Sequence, residues 1–149
     1  MGGGFKEERI ETTNGNVELY REIIEGFNER GIEGVLEYYD EDVEVYDPDF
    51  PDGGTYRGRD GVRTVLEQLL SGFDEMTIRD WELVPAGDRV VGLIHTHGRG
   101  DRRFGLEIEL RDAHTLTFRD GKVVYWRLYL DRTEALTDAG LDPEKTRLS

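Results

Sequence analysis

The chain has 149 residues, with 19 Lys plus Arg against 33 Asp plus Glu, a net charge of −14 and no cysteine. That length allows one domain with a real core rather than two. The charge repels nucleic-acid phosphates and anionic lipid, and the missing thiols exclude disulfides, thiolate nucleophiles and cysteine-ligated zinc.

Residues 1–12 open Met-Gly-Gly-Gly, carry no apolar signal core, and read as a flexible arm ahead of a single domain over 13–149. No apolar run approaches the length of a membrane span. Neither a membrane nor a nucleic acid is therefore an expected partner, and the expected location is cytoplasmic. Val17, Tyr20, Ile23, Ile24 and Phe27 then recur at helical spacing, with Asn14 or Asn16 as cap and Gly31 as stop. Ile32, Val35, Leu36 and Tyr39 predict a second, shorter helix.

Residues 43–46 alternate as a strand and end at Asp47-Pro48, because proline has no N–H to give a ladder. Asp47 thus sits at the lip of whatever the strand packs on. It is either a turn residue or a carboxylate aimed into a cavity. The loop 47–58 is rich in Pro, Gly and Asp, and Phe50 within it is the expected apolar lid over a pocket mouth. Asp60 can cap a third helix with Val62, Val65, Leu66, Leu69 and Phe73 on its apolar face.

Beyond that helix the period changes to two. Strands are predicted at 76–84, 89–96, 104–118 and 122–130, with Arg119-Asp120-Gly121 as a tight turn. A short helix from about Thr133 to Gly140 follows, capped by Asp131. Helices first and a strand meander second argue for α+β, with helices on the concave side of one curved antiparallel sheet. Such a sheet encloses a cone, and cones of this kind hold pockets.

Polar residues break the pattern at few places. On strand 104–118 strict alternation turns Asp112 and His114 to the same face as Ile108, Leu110 and Leu116. Two adjacent ionisable groups on an apolar face are either a mutually satisfied core pair or a functional one. His95 and His97 share a face of the preceding strand, but no further ligand pattern accompanies them, so no metal site is expected. On the last strand Val124, Trp126, Leu128 and Leu130 form the apolar face, with Trp126 and Leu128 as pocket wall or plain core. Tyr125, Arg127 and Tyr129 lie opposite, on the convex side, a composition that suits a second copy of the chain and predicts a homodimer.

The stretches "YREIIEGFNERGIEGVLEYYDEDVEVYDPDFPDGGTYRGRDGV" and "AHTLTFRDGKVVYWRLYLDRTEALTDAGL" resemble the opening and close of SnoaL-like polyketide cyclase domains, members of the NTF2-like superfamily that includes ketosteroid isomerases. The resemblance implies a cone-shaped NTF2-like (cystatin-like) fold wrapped around N-terminal helices. It also implies a pocket for a small hydrophobic ligand and a dimer. "YDEDVEVYDP" is similar to the isomerase segment that ends in its catalytic Asp-Pro, which puts Asp47 on the general-base position. His114 falls where those isomerases hold a donor to the oxyanion, with Asp112 beside it to fix the imidazole tautomer. The isomerase tyrosines would fall near Ile24 and Leu66, which cannot donate, so Tyr39 remains as a pocket-wall phenol. The implied function is cofactor-independent acid/base chemistry on a hydrophobic carbonyl compound: isomerisation, aldol-type cyclisation or dehydration. The alternative is a non-catalytic ligand-binding or dimerisation domain of the same fold.

Overall fold

The computed structural model describes residues 3–49, 54–100 and 106–145, with the backbone alone over 3–14. Helix α1, Gly3–Arg30, starts ahead of the expected caps, so Asn14 and Asn16 lie within it, and it turns Tyr20, Ile23 and Ile24 inward. It stops at Gly31, whose φ of 70° is open to glycine and whose N–H closes the helix on the Phe27 carbonyl at 2.9 Å. The short helix expected next is two 3-10 turns, Ile32–Gly34 and Leu36–Tyr38. Tyr39 is not helical; it opens β1, Tyr39–Tyr46. The strand is longer than its alternating core because its acidic first half, Asp40 to Asp42, is solvated while Tyr39 is buried.

Strand β2, Thr55–Arg57, pairs with β1 inside the segment expected to be all loop. Helix α2, Gly58–Leu70, is N-capped by Arg57 without a side-chain bond, so Asp60 is not the cap. It sits in the first turn, where a carboxylate complements the helix dipole. Strands β3, Glu75–Ala86, β4, Arg89–Arg99, β5, Glu107–Arg119, and β6, Lys122–Tyr129, follow in the predicted order. The β5–β6 turn is Asp120-Gly121 with φ of 52° and 78°, the paired positive values of a type I′ hairpin. Helix α3, Arg132–Asp138, begins under Asp131, whose side chain accepts from the N–H groups of Thr133 and Glu134.

The sheet order is β2-β1-β6-β5-β4-β3. Every pairing is antiparallel except β1–β6, which is parallel, so the sheet is mixed rather than purely antiparallel. No hairpin joins those two strands, and nothing local sets their relative direction. A bulge at Val124 shifts the register of β6, so Val123 is fully buried in place of Val124, and Leu130 is exposed. The main core lies between the helices and the concave face. A second cluster, Val91, Leu93, Ala113 and Tyr129 under Ala135 and Leu136, forms where α3 covers the convex face.

Candidate active site

Helices α1 and α2 do not fill the cone. They leave a cavity of about 310 Å³ bounded by Ile23, Ile24 and Phe27 of α1, Leu66 and Leu69 of α2, and the concave face of β3–β6. It opens toward the start of β5, where Ile108 is 47% exposed. Its wall is almost wholly apolar. Among the described residues the polar groups on it are Tyr20, Tyr39, Thr96, Asp112, His114 and the indole of Trp126, and no Lys or Arg lines it.

Asp112 and His114 point inward from β5 as alternation requires, and they form one hydrogen-bonded chain. The indole N–H of Trp126 can only donate, and it donates to His114 Nδ1 at 3.0 Å. Nδ1 is therefore the acceptor and Nε2 carries the proton, which goes to Asp112 Oδ2 at 3.0 Å. The imidazole and indole rings are stacked with centroids 5.8 Å apart. Asp112 is only 5% exposed, and its second oxygen, Oδ1, has no hydrogen-bond partner. A buried carboxylate oxygen left bare is costly. On the far side, Arg132 donates from Nε to the Asp112 carbonyl and from Nη2 to the Ile94 carbonyl, which fixes the β5 backbone under the pair.

Burial, the largest influence on His114, disfavours its charged form. The Asp112 carboxylate, by charge and hydrogen bond, and the more distant Asp47 outweigh it and hold the imidazole above its ordinary value. Protonating Nδ1 would set two N–H groups face to face, so gaining the charge requires losing the Trp126 bond. Burial raises Tyr39 well above the ordinary tyrosine value and keeps it a neutral donor. Its ring packs on Trp126 at 6.0 Å, and its hydroxyl has no hydrogen-bond partner among the described residues.

Asp47 continues the inward face of β1 after Val43 and Val45 and is 8% exposed. Yet it is not on the cavity wall. Its Oδ1 accepts from the Asp49 N–H at 3.1 Å, the side-chain turn that an Asp-Pro pair favours. Burial pushes its carboxyl up most, against the Asp49 N–H bond. Leu128, paired with His114 across β5–β6, is core and does not line the cavity. Trp126 and Tyr39 do line it. Phe50 lies outside the described residues. Tyr129 is not on an open convex face: α3 covers it, and its hydroxyl donates to Asp138 Oδ2 at 2.9 Å. His95 and His97 face the convex side, where Glu109 pairs with His95. Among the described residues no group of three or more His, Cys, Asp or Glu is arranged to hold a metal ion.

Tyr20, on the apolar face of α1 among isoleucines, carries no sequence motif that marks it as a site residue. It lines the cavity and donates to the His114 carbonyl at 2.6 Å. The signal for it is the one hydroxyl among Val17, Ile23, Ile24 and Phe27, since a buried tyrosine needs a partner for its hydroxyl.

The chain is similar to solved structures over most of its length. One is TerC co-crystallized with polyporic acid, at 29% identity and a TM-score of 0.66, covering 84% of this chain and 97% of that one. Another is an NTF2-like protein of unknown function from Burkholderia pseudomallei, at 27% identity and 0.67, covering 83% and 95%. A third, from Xanthomonas campestris, has a cystatin-like fold at 21% identity and 0.64, covering 83% and 95%, and bears on the fold alone. No curated protein sequence matches the chain significantly. The fold is thus the NTF2-like, cystatin-like one. The sequence profile of the SnoaL-like domain matches residues 20–126, most of the chain and every residue that lines the cavity, so the chain belongs to the SnoaL-like domain family.

Proposed function

We propose that this protein is a cofactor-independent acid/base enzyme acting on a small hydrophobic carbonyl compound, with Asp112 as the general base. The observation that carries this is the Asp112–His114 pair on an otherwise apolar cavity wall, with Oδ2 of Asp112 held by His114 and Oδ1 enclosed without a hydrogen-bond partner. A carboxylate in this setting takes a proton from carbon next to a carbonyl, and the enolate oxygen needs a donor where charge grows. The Tyr39 hydroxyl supplies that donor. His114 is a positioning residue for Asp112, since both its ring nitrogens are engaged within the protein. This reading moves the base from Asp47, which the resemblance implied, to Asp112. The abstracted proton then returns to another carbon, giving isomerisation, or the enolate carbon attacks a second carbonyl, giving ring closure. That the similar TerC was crystallised with polyporic acid supports a ligand in this cavity. A homodimer through the part of the convex face that α3 leaves uncovered, around Tyr46, Tyr125 and Arg127, belongs to the same reading. Sedimentation showing only monomer at micromolar concentration would remove it.

The test is hydrogen–deuterium exchange at the carbons flanking the carbonyl of 2-tetralone in D₂O, followed by NMR. The wild type should accelerate exchange over buffer. Asp112→Asn should slow it by roughly two orders of magnitude or more, and Tyr39→Phe by about tenfold to a hundredfold. Asp47→Asn should leave it nearly unchanged. Tetralone that binds without exchanging would favour the non-catalytic ligand-binding reading, and loss of exchange in Asp47→Asn alone would return the base to Asp47.

A further inference from the structure

We infer that Thr96 reads a second oxygen on the ligand, a hydroxyl or carbonyl on the part of the molecule nearer the cavity mouth. The inference rests on the cavity being a small-molecule site, and adds to it a residue that sets specificity. The concave face is built in rows across β3, β4 and β5, because residues paired in the ladder turn their side chains to the same side. The outermost row on the cavity wall is Met76, Gly98 and Ile108. The Phe73 ring takes the place of the missing Gly98 side chain: a Cβ there would stand 2.6 Å from its Cδ1. The next row inward is Ile78, Thr96 and Leu110, and the row after that holds Ile94 and Asp112. Thr96 therefore stands one row outside Asp112, two residues or about 7 Å along the strand. Its neighbours in the row and the ring over Gly98 are apolar, yet its own side chain carries a hydroxyl. Thr96 is 9% exposed, and that hydroxyl has no hydrogen-bond partner among the described residues. Its oxygen is not one of the enclosed ones, and it keeps accessible surface on the cavity side. A hydroxyl both donates and accepts, and leaving it unmet on an apolar wall costs free energy. A two-ring ketone with its carbonyl by Asp112 lays its second ring over Thr96, where one oxygen substituent would complete the hydroxyl.

The probes are 2-tetralone and its congeners with a methyl or a hydroxyl at carbon 6 or carbon 7 of the aromatic ring, so the carbonyl stays constant. Equilibrium dialysis at neutral pH measures their binding to the intact wild type, to Thr96→Val, which keeps the branched shape, and to Thr96→Ser, which keeps the hydroxyl. At one of the two ring positions the preference for hydroxyl over methyl should fall about tenfold in Thr96→Val and return in Thr96→Ser, the change expected when one hydrogen bond in an apolar surround is lost. Binding of unsubstituted 2-tetralone should be nearly unchanged by either substitution. The Tm of Thr96→Val should not fall, since the hydroxyl bonds nothing within the protein. A preference that Thr96→Val leaves unchanged at both positions would overturn the inference while leaving the pocket intact, and is the result if the hydroxyl only holds a water. A loss that Thr96→Ser does not restore, or a clear drop in the Tm of Thr96→Val, would also overturn it, by assigning the hydroxyl a structural role. Failure of all five compounds to bind would overturn the small-molecule reading and this inference with it. Because dialysis needs no turnover, absence of catalysis does not affect the outcome.

Discussion

Asp47 and Asp112 are both buried carboxylates near one imidazole, and their surroundings divide them. Asp47 spends an oxygen on its own turn and is off the cavity wall, whereas Asp112 lines the cavity and keeps one enclosed oxygen without a partner. Two outcomes follow. Burial raises Asp47 above its ordinary 3.8, so its charged form is the disfavoured one in the folded chain. That handicap is absent below the ordinary value and present in full above the raised one. Asp47→Asn should therefore raise Tm at neutral pH, with the gain shrinking as pH falls toward about 4. A lower Tm at neutral pH would mean that the carboxylate is needed in its charged form. At His114 the raised value means that its contribution to stability is complete below about 6.5 and fades as pH rises through the folded value. Trp126→Phe removes the N–H that opposes protonation at Nδ1, so an NMR titration of the His114 ring should move to higher pH still. An unchanged or lower midpoint would show that the indole bond does not set the tautomer.

Helix α1 meets strands β4 and β5 at one tight point, the Tyr20 phenol against Gly92 and the His114 carbonyl. Gly92, opposite His114 in the ladder, leaves the space into which the Tyr20 phenol reaches. A Cβ there would stand 2.2 Å from the Tyr20 hydroxyl oxygen and 2.5 Å from its ring. Gly92→Ala should therefore cost about 1–3 kcal/mol by overpacking, whereas Tyr20→Phe should cost only ~1 kcal/mol for the lost hydrogen bond. Adding Tyr20→Leu to Gly92→Ala should recover part of the loss, because the two changes share one contact and are not additive. Denaturant midpoints for the singles and the double check this, and strict additivity would place the strain elsewhere.

Across the whole molecule, a net charge of −14 on one small domain makes the folded state repel itself. Salt screens that repulsion, so Tm should rise on moving from millimolar buffer to physiological ionic strength. A fall would mean that attractive pairs such as Arg63–Glu33 and Arg127–Glu134 outweigh the excess.

Local chemistry was not enough for the start of α1, which runs on ahead of Asn14 and Asn16, but it was enough for the apolar face of α1 and its glycine stop, the Asp131 cap, the Asp-Gly hairpin and the inward direction of Asp112 and His114. Each depends on contacts within a few residues or on a period of two, and both are written in consecutive letters. The parallel β1–β6 pairing, the Val124 bulge and the β2 strand were not legible, because each depends on a partner far away in the chain. The site divides along the same line. Alternation put Asp112 and His114 on one face, but it could not show that Trp126, brought across β5–β6, orients the imidazole. Nor could it show that Tyr20 is admitted by the bare backbone of Gly92, or that Asp47 turns back on Asp49. Those outcomes were decided by packing, since the direction of a hydrogen bond depends on which donor the fold sets opposite which acceptor.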